Sequence, residues 1–196
     1  MQIEEIKFGN TYHIFNRGNN SQDIFFEEEN YIYFLKLLAK YILPIADLYC
    51  YCLMKNHFHF LVRIKEYDEI VESELTYSTV EKPKKIDPSR QFSHFFNAYT
   101  LAINKRFNRS GSLLEKPFER KLIKDENYFK NLIVDIHNSP KNKGIVNEVE
   151  SYRWSSYARL ISNSPTKLQR EKVLNYFDGV ENFIFCHQQP FQPSEG

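Results

Sequence analysis

Two histidines separated by one residue, His57 and His59, are the side chains of this sequence with the clearest capacity for chemistry. Because residues i and i+2 of a strand point to the same face, an extended chain projects both imidazoles together. Two neutral imidazoles so placed could share one divalent cation if a third ligand comes from another element. The spacing fits equally two half-buried histidines that only form hydrogen bonds, so both interpretations are open at this point.

The surrounding sequence predicts the elements that would position this pair. Alternating apolar residues and turn signals predict strands over 11–16, 47–54, 57–64 and 118–124, and Lys55 and Asn56 predict a tight turn between the second and third. Apolar residues at helical spacing predict helices over 27–42 and 89–107. A third helix is expected to begin near Asp125 as its N-cap and to end before Pro140. Shorter helices are expected over 152–161, 169–177 and 181–187.

The order strand–helix–strand–strand–helix–strand is the split βαβ pattern. The predicted fold is therefore α+β, a ferredoxin-like antiparallel sheet with helices on one face and a helical C-terminal extension. Residues 1–160 are expected to form one domain, in which the polar segment 65–88 is an insertion loop, and residues 161–196 form the extension.

Composition sets limits on the partners. The 196 residues carry a net charge of only +1, so any nucleic-acid binding must come from a local basic patch. The 13 tyrosines and 17 phenylalanines fit an aromatic core, with some rings available to stack on unpaired bases. Three cysteines without metal-ligand spacing, together with the lack of a signal peptide or a long apolar run, favour a cytoplasmic protein that does not bind a membrane.

Five ordered blocks of sequence carry a family resemblance. The second of these blocks is Met54-Lys55-Asn56-His57-Phe58-His59, with one block before it in the chain and three after it. The other blocks are Tyr12-His13-Ile14-Phe15-Asn16-Arg17-Gly18, Gly111-Ser112-Leu113-Leu114-Glu115 with Phe118-Glu119-Arg120, Ile136-His137-Asn138-Ser139-Pro140 with Gly144-Ile145-Val146, and Tyr152-Arg153-Trp154-Ser155-Ser156-Tyr157. Together they resemble the HUH single-tyrosine transposases of small bacterial insertion sequences, and among these the REP-associated tyrosine transposases.

The resemblance implies a reaction and a site. It implies that His57 and His59, with a polar ligand from the third helix, hold Mg²⁺ or Mn²⁺ on the scissile phosphate of single-stranded DNA. It also implies that a tyrosine one helical turn before that ligand attacks phosphorus to form a 5′-phosphotyrosine. The matched nucleophile position is Asp135 and the matched ligand position is Ser139, so this chain departs from the family at both.

Three interpretations of this departure are open. The chain is a catalytically degenerate, DNA-binding or regulatory descendant; or Tyr128, nearly two turns before Asp135, is a relocated nucleophile; or Asp135 completes a two-histidine, one-carboxylate set in a hydrolytic nuclease. Enzymatic activity is thus left undecided by the sequence.

Basic residues predict the contact with DNA phosphates. The resemblance implies single-stranded or hairpin DNA as the partner, bound by a monomer or a homodimer. The candidate DNA-binding residues are Asn16, Arg17, Lys105, Arg106, Lys116, Arg120, Lys121, Lys124, Lys141 and Lys143. His13 and His94 have no partner at a suggestive spacing, and His137 is expected to pack or to lie at the surface.

Overall fold

The computed structural model describes residues 4–77 and 85–189. Its strands are β1 (Thr11–Arg17), β2 (Ala46–Met54), β3 (His57–Ile64) and β4 (Glu119–Ile123). Its helices are α1 (Glu28–Tyr41), α2 (Pro88–Arg106), α3 (Glu126–Asn142), α4 (Tyr157–Ile161), α5 (Arg170–Tyr176) and α6 (Val180–Gln188). Every helix and strand predicted from the sequence is present, with boundaries shifted by a few residues.

The four strands form one antiparallel sheet in the order β2-β3-β1-β4. This order and the element sequence are those of the ferredoxin-like fold, so the predicted fold class is confirmed. In the register of β1 and β3, Phe15 lies opposite His59 and Arg17 lies opposite His57. Since side chains alternate along a strand, these four residues lie on one face of the sheet.

The opposite face carries the larger core, and α1 and α2 cover it. Phe34 of α1 is fully buried and packs its ring 5.1 Å from that of Phe58 and 4.7 Å from that of Phe95. Tyr99 of α2 donates a 2.6 Å hydrogen bond to the carbonyl of Ile24, so its hydroxyl is satisfied inside this core. The alternation of β3 thus separates an aromatic face from the histidine face.

The histidine face is partly covered as well, by α3 and the C-terminal helices. The apolar stripe of α3 includes Phe129 and Ile133, and it packs on Cys50 and Cys52 of β2. Helices α1 and α2 lie on one face of the sheet, as predicted. Helix α3 lies on the other face, so the prediction of helices on one face is wrong for α3. The physical reason is that β2 is apolar on both faces, so its second face also needs a cover.

The C-terminal segment also pairs with the free edge of β2. The amide of Leu53 donates to the carbonyl of Trp154, the amide of Ser156 donates to the carbonyl of Tyr51, and the amide of Gln169 donates to the carbonyl of Leu48, each at 2.9 Å. Residues 154–169 are therefore joined to the sheet by backbone hydrogen bonds as well as by side-chain packing.

Local differences from the sequence-based expectations are small. The N-cap of α3 is Asp125, as predicted, and its carboxylate accepts from the Tyr128 amide at 2.7 Å. The predicted end before Pro140 is wrong, because α3 continues to Asn142 and the proline removes only one hydrogen bond in the last turn. The predicted insertion 65–88 contains short turns at Tyr67–Glu69 and Glu72–Glu74, and its residues 78–84 lie outside the described part. Within the described ranges, no helix is long and apolar enough to cross a membrane.

Candidate functional site

His57 and His59 project from one face of β3, with ring centroids 5.3 Å apart. A third histidine joins them, because His13 of β1 is stacked on His59 and its Nε2 lies 3.0 Å from His59 Nδ1. The sequence shows no partner for His13 at a suggestive spacing, but the β1–β3 pairing makes it a diagonal neighbour of His59. The site contains three imidazoles rather than two.

Hydrogen bonds fix the protonation of the His57 ring. Its Nε2 lies 2.8 Å from Lys143 Nζ, and a lysine ammonium group can only donate. Its Nδ1 lies 2.7 Å from Asn56 Oδ1, which accepts. Both contacts require the proton on Nδ1 and leave the Nε2 lone pair directed at Lys143.

Burial keeps the imidazoles of the site neutral. Desolvation, aided by the charge of Lys121, lowers the pKa of His13 to about 4. Desolvation with the nearby Lys143 charge lowers the pKa of His57 to about 4, and the pKa of His59 is held well below its usual value, by burial first and by His13 next. At neutral pH the three rings therefore act as hydrogen-bonding groups without charge.

A cleft of about 770 Å³ opens over His57 and His59. Three cationic side chains line it, Arg17, Lys55 and Lys143, together with the carboxylates of Glu115 and Glu119. Arg17 Nε pairs with Glu115 at 2.8 Å. Lys55 Nζ pairs with Asp23 at 2.9 Å, whereas Lys143 contacts the uncharged His57 ring. The end of the sheet at Arg17 of β1 and His57 of β3 is thus a polar pocket lined by both cationic and carboxylate side chains.

The donor set of this cleft does not fit a divalent ion in the arrangement observed. A metal needs the lone pair of an imidazole nitrogen, and the His57 Nε2 lone pair faces Lys143. His59 Nδ1 is engaged with His13. Among the described residues, no group of three or more histidine, cysteine, aspartate or glutamate side chains is arranged to hold a metal ion. The Mg²⁺ or Mn²⁺ site therefore stays a prediction.

The predicted residues of α3 lie along one side of that helix. Asp135 and Ser139 are both half-buried, and neither is among the described residues that line the cleft. The Tyr128 ring lies under Lys121, whose Nζ is 4.6 Å from the ring centroid, and Lys121 is opposite His13 in the sheet. No tyrosine is among the described residues that line the cleft.

The candidate DNA-binding residues are distributed over several surfaces. Arg17 and Lys143 lie in the cleft, and Asn16 lines it next to them. Lys116 and Arg120 line a separate groove beside α2. The remaining candidates lie elsewhere: Arg106 pairs with Glu27, Lys141 pairs with Glu148, Lys121 covers Tyr128, and Lys105 and Lys124 are exposed. The structure therefore does not gather all of these residues into one patch.

A second histidine pair is buried beneath α3, and it links three helices to β2. His187 Nδ1 donates to the Phe183 carbonyl at 2.7 Å, so His187 Nε2 accepts from His137 Nδ1 at 2.9 Å. His137 Nε2 then accepts from the Ser156 hydroxyl at 2.7 Å, and Ser156 Oγ accepts from the Tyr51 amide at 2.8 Å. Every ring nitrogen is satisfied with both histidines neutral, which confirms the packing role expected for His137 and extends it to His187.

Burial lowers the pKa of His187 to about 4 and holds the pKa of His137 well below its usual value. His137 and His187 are exposed by 0% and 1% of their surface, so a substrate could not reach either of them. The hydrogen-bonded chain of Ser156, His137 and His187 therefore has a structural role.

Sequence patterns missed some members of the site and could have found others. His13 alternates with Tyr12 and Ile14, so its place on the face opposite the aromatic core was readable from period two. The sequence predicts a turn at Lys55 and Asn56 but not that both residues line the cleft. The contact of Lys143 with His57 spans 86 positions and carries no local signal.

The sheet order, the paired histidines on one face and the crossing third helix define a ferredoxin-like α+β fold with a polar cleft at one end of its sheet. Among solved structures, a REP-associated tyrosine transposase bound to a REP hairpin has this fold, with a TM-score of 0.59 over 84% of this chain and 87% of that chain. The two sequences are 14% identical, so the likeness establishes a shared fold and a distant structural relationship. No protein-family model matches this chain, and no curated protein sequence matches it.

Proposed function

We propose that this chain is a transposase-like protein that binds single-stranded or hairpin DNA through the cleft over His57 and His59, without cutting it. The observation that carries the proposal is that the neutral imidazoles of His57 and His59 line one cleft together with Arg17 and Lys143, and that Lys143 contacts His57 directly. Cationic side chains beside uncharged acceptors suit a phosphodiester backbone. The fold shared with a hairpin-bound transposase supports the same class of partner.

Binding without cleavage follows from the residues of α3. Asp135 cannot form the phosphotyrosine that a tyrosine would form at its position, and the Ser139 hydroxyl is a weak metal ligand. Tyr128 contacts Lys121 on the β4 side of the sheet, two residues along β4 from Glu119 of the cleft. The described residues that line the cleft include no tyrosine, which favours a binding protein over a relocated tyrosine nucleophile.

The binding experiment compares two matched arginines. Arg17 and Arg153 each expose 62% of the side chain and each pair with a glutamate at 2.8 Å, but only Arg17 lines the cleft. Fluorescence anisotropy with a labelled imperfect hairpin bearing single-stranded flanks is expected to show about tenfold weaker binding for Arg17→Gln. Arg153→Gln is expected to bind like the wild type. Equal losses in both variants would place the interface outside the cleft.

The cleavage experiment uses the same hairpin with Mn²⁺ on a denaturing gel. We expect neither a covalent protein–DNA adduct nor nicked product. An adduct that disappears in Tyr128→Phe would instead establish relocation of the nucleophile. Nicked product that forms without any adduct, and that is lost in Asp135→Asn, would establish the hydrolytic nuclease.

A further inference from the structure

We propose that Lys143 is the resident cation of this site: its amino group closes His57 to divalent metal ions and itself binds the DNA phosphodiester. The first half concerns metal binding and stands without DNA. The second half rests on the proposed DNA-binding function and names the group that holds the phosphate.

The geometry at His57 carries the first half. Asn56 Oδ1 accepts from His57 Nδ1 at 2.7 Å, so the ring can present only Nε2 to a Lewis acid. Lys143 Nζ lies 2.8 Å from His57 Nε2 and donates a hydrogen bond to its lone pair, so this lone pair is not available to a metal ion. A metal ion on Nε2 would sit about 2.0–2.1 Å away and must displace this amino group.

The position of Lys143 on the chain makes the contact a built feature of α3. Asp135, Ser139 and Lys143 follow one another at intervals of four residues, so they fall on one side of the helix and its C-cap. The turn after the helix is held by the Lys143 amide, which donates to Ser139 O at 3.2 Å, and by the Ile145 amide, which donates to Pro140 O at 2.9 Å. The C-terminal end of α3 therefore fixes the position of Lys143 at the cleft.

The charges of the cleft carry the second half. Arg17 is paired with Glu115, and Lys55 is paired with Asp23. Lys143 contacts an uncharged imidazole, which leaves its amino group two further N–H donors for phosphate oxygens. Arg17 lies opposite His57 in the sheet, and the two cations therefore flank the same ring.

The metal experiment uses no DNA. Co²⁺ is titrated into the full chain and followed by its visible absorption, for the wild type, Lys143→Met and the double variant Lys143→Met, His57→Ala. We expect no His57-dependent binding to the wild type, at least about tenfold tighter binding to Lys143→Met, and loss of that gain in the double variant. Wild-type binding that His57→Ala removes would overturn the proposal, as would a Lys143→Met variant no better than wild type.

The DNA experiment uses a lysine pair on the same helix. Lys143→Met is compared with Lys130→Met, because Lys130 lies on α3, pairs with Glu126 and does not line the cleft. We expect hairpin binding to be equal in EDTA and in Mg²⁺, about tenfold weaker in Lys143→Met, and within about twofold of wild type in Lys130→Met. A requirement for a divalent ion, or equal effects of the two substitutions, would overturn the phosphate role.

The two experiments separate the two proposals. If no variant and no wild-type protein bound hairpin DNA, the proposed function would fail while the Co²⁺ result still decided whether Lys143 closes the site. Circular dichroism of each variant confirms folding, and Lys143→Gln serves as the second variant if Lys143→Met does not fold.

Discussion

The buried histidine pair makes a quantitative prediction about acid stability. His187 is held neutral in the folded chain, with its pKa lowered to about 4 by desolvation. In the unfolded chain it titrates near its ordinary pKa of about 6.5. Between pH 6.5 and pH 4 the unfolded state therefore binds a proton at His187 that the folded state does not bind. The contribution of neutral His187 to the free energy of unfolding is complete above pH 6.5 and is lost as the pH falls towards 4.

The size of the effect follows from the two pKa values. Between pH 7 and pH 5, one such histidine lowers the free energy of unfolding by about 2 kcal/mol. In His187→Gln the acceptor for the His137 Nδ1 proton is altered, so we expect a loss of about 1–3 kcal/mol already at pH 7. Between pH 7 and pH 5, however, this variant should lose about 2 kcal/mol less than the wild type, because the titrating group is gone.

Urea unfolding at pH 7 and pH 5, followed by far-UV circular dichroism, measures both quantities. Asn182→Ala is the matched control in α6, because Asn182 donates to the Phe177 carbonyl at 2.8 Å and does not titrate. It should lose stability equally at both pH values. If His187→Gln lost as much stability on acidification as the wild type, the assignment of a neutral, buried His187 would be refuted.

Three further substitutions test the packing that positions the cleft. Phe60→Ala empties a fully buried site between the sheet and α1, and thermal unfolding should show a loss of about 3–5 kcal/mol. Asp125→Ala removes the N-cap of α3 and should cost about 1 kcal/mol in urea unfolding, with Asp125→Asn close to wild type. Ser156→Ala leaves the Tyr51 amide and His137 Nε2 without their partner, so it should cost about 1–3 kcal/mol and speed hydrogen exchange at the Tyr51 amide; unchanged exchange there would contradict the assigned network.

Strand β3 shows what the sequence could predict. Its bounds, 57–64, and the separation of His57 and His59 from Phe58 and Phe60 follow from period two alone. The order of the other elements then identified the sheet topology, since few arrangements fit that order of strands and helices.

The partners of the histidines could not be predicted in the same way. His13 meets His59 only because β1 lies beside β3, and that neighbour relation comes from the whole topology. Lys143 reaches His57 because α3 crosses the second face of the sheet, which the pattern of β3 does not determine. His137 and His187 are 50 positions apart, and no local sequence pattern indicates that they are in contact.

The backbone contacts at β2 limit how copies of this chain can associate. Residues 154–169 already use amides and carbonyls on the outer edge of that strand, so an incoming strand from another molecule finds few vacant groups there. Removal of the chain after residue 151 would expose the outer edge of β2, a nine-residue and mostly apolar strand. The shortened protein should then aggregate through this edge. Residues 154–169 thus protect this edge of the sheet from fibre-like growth.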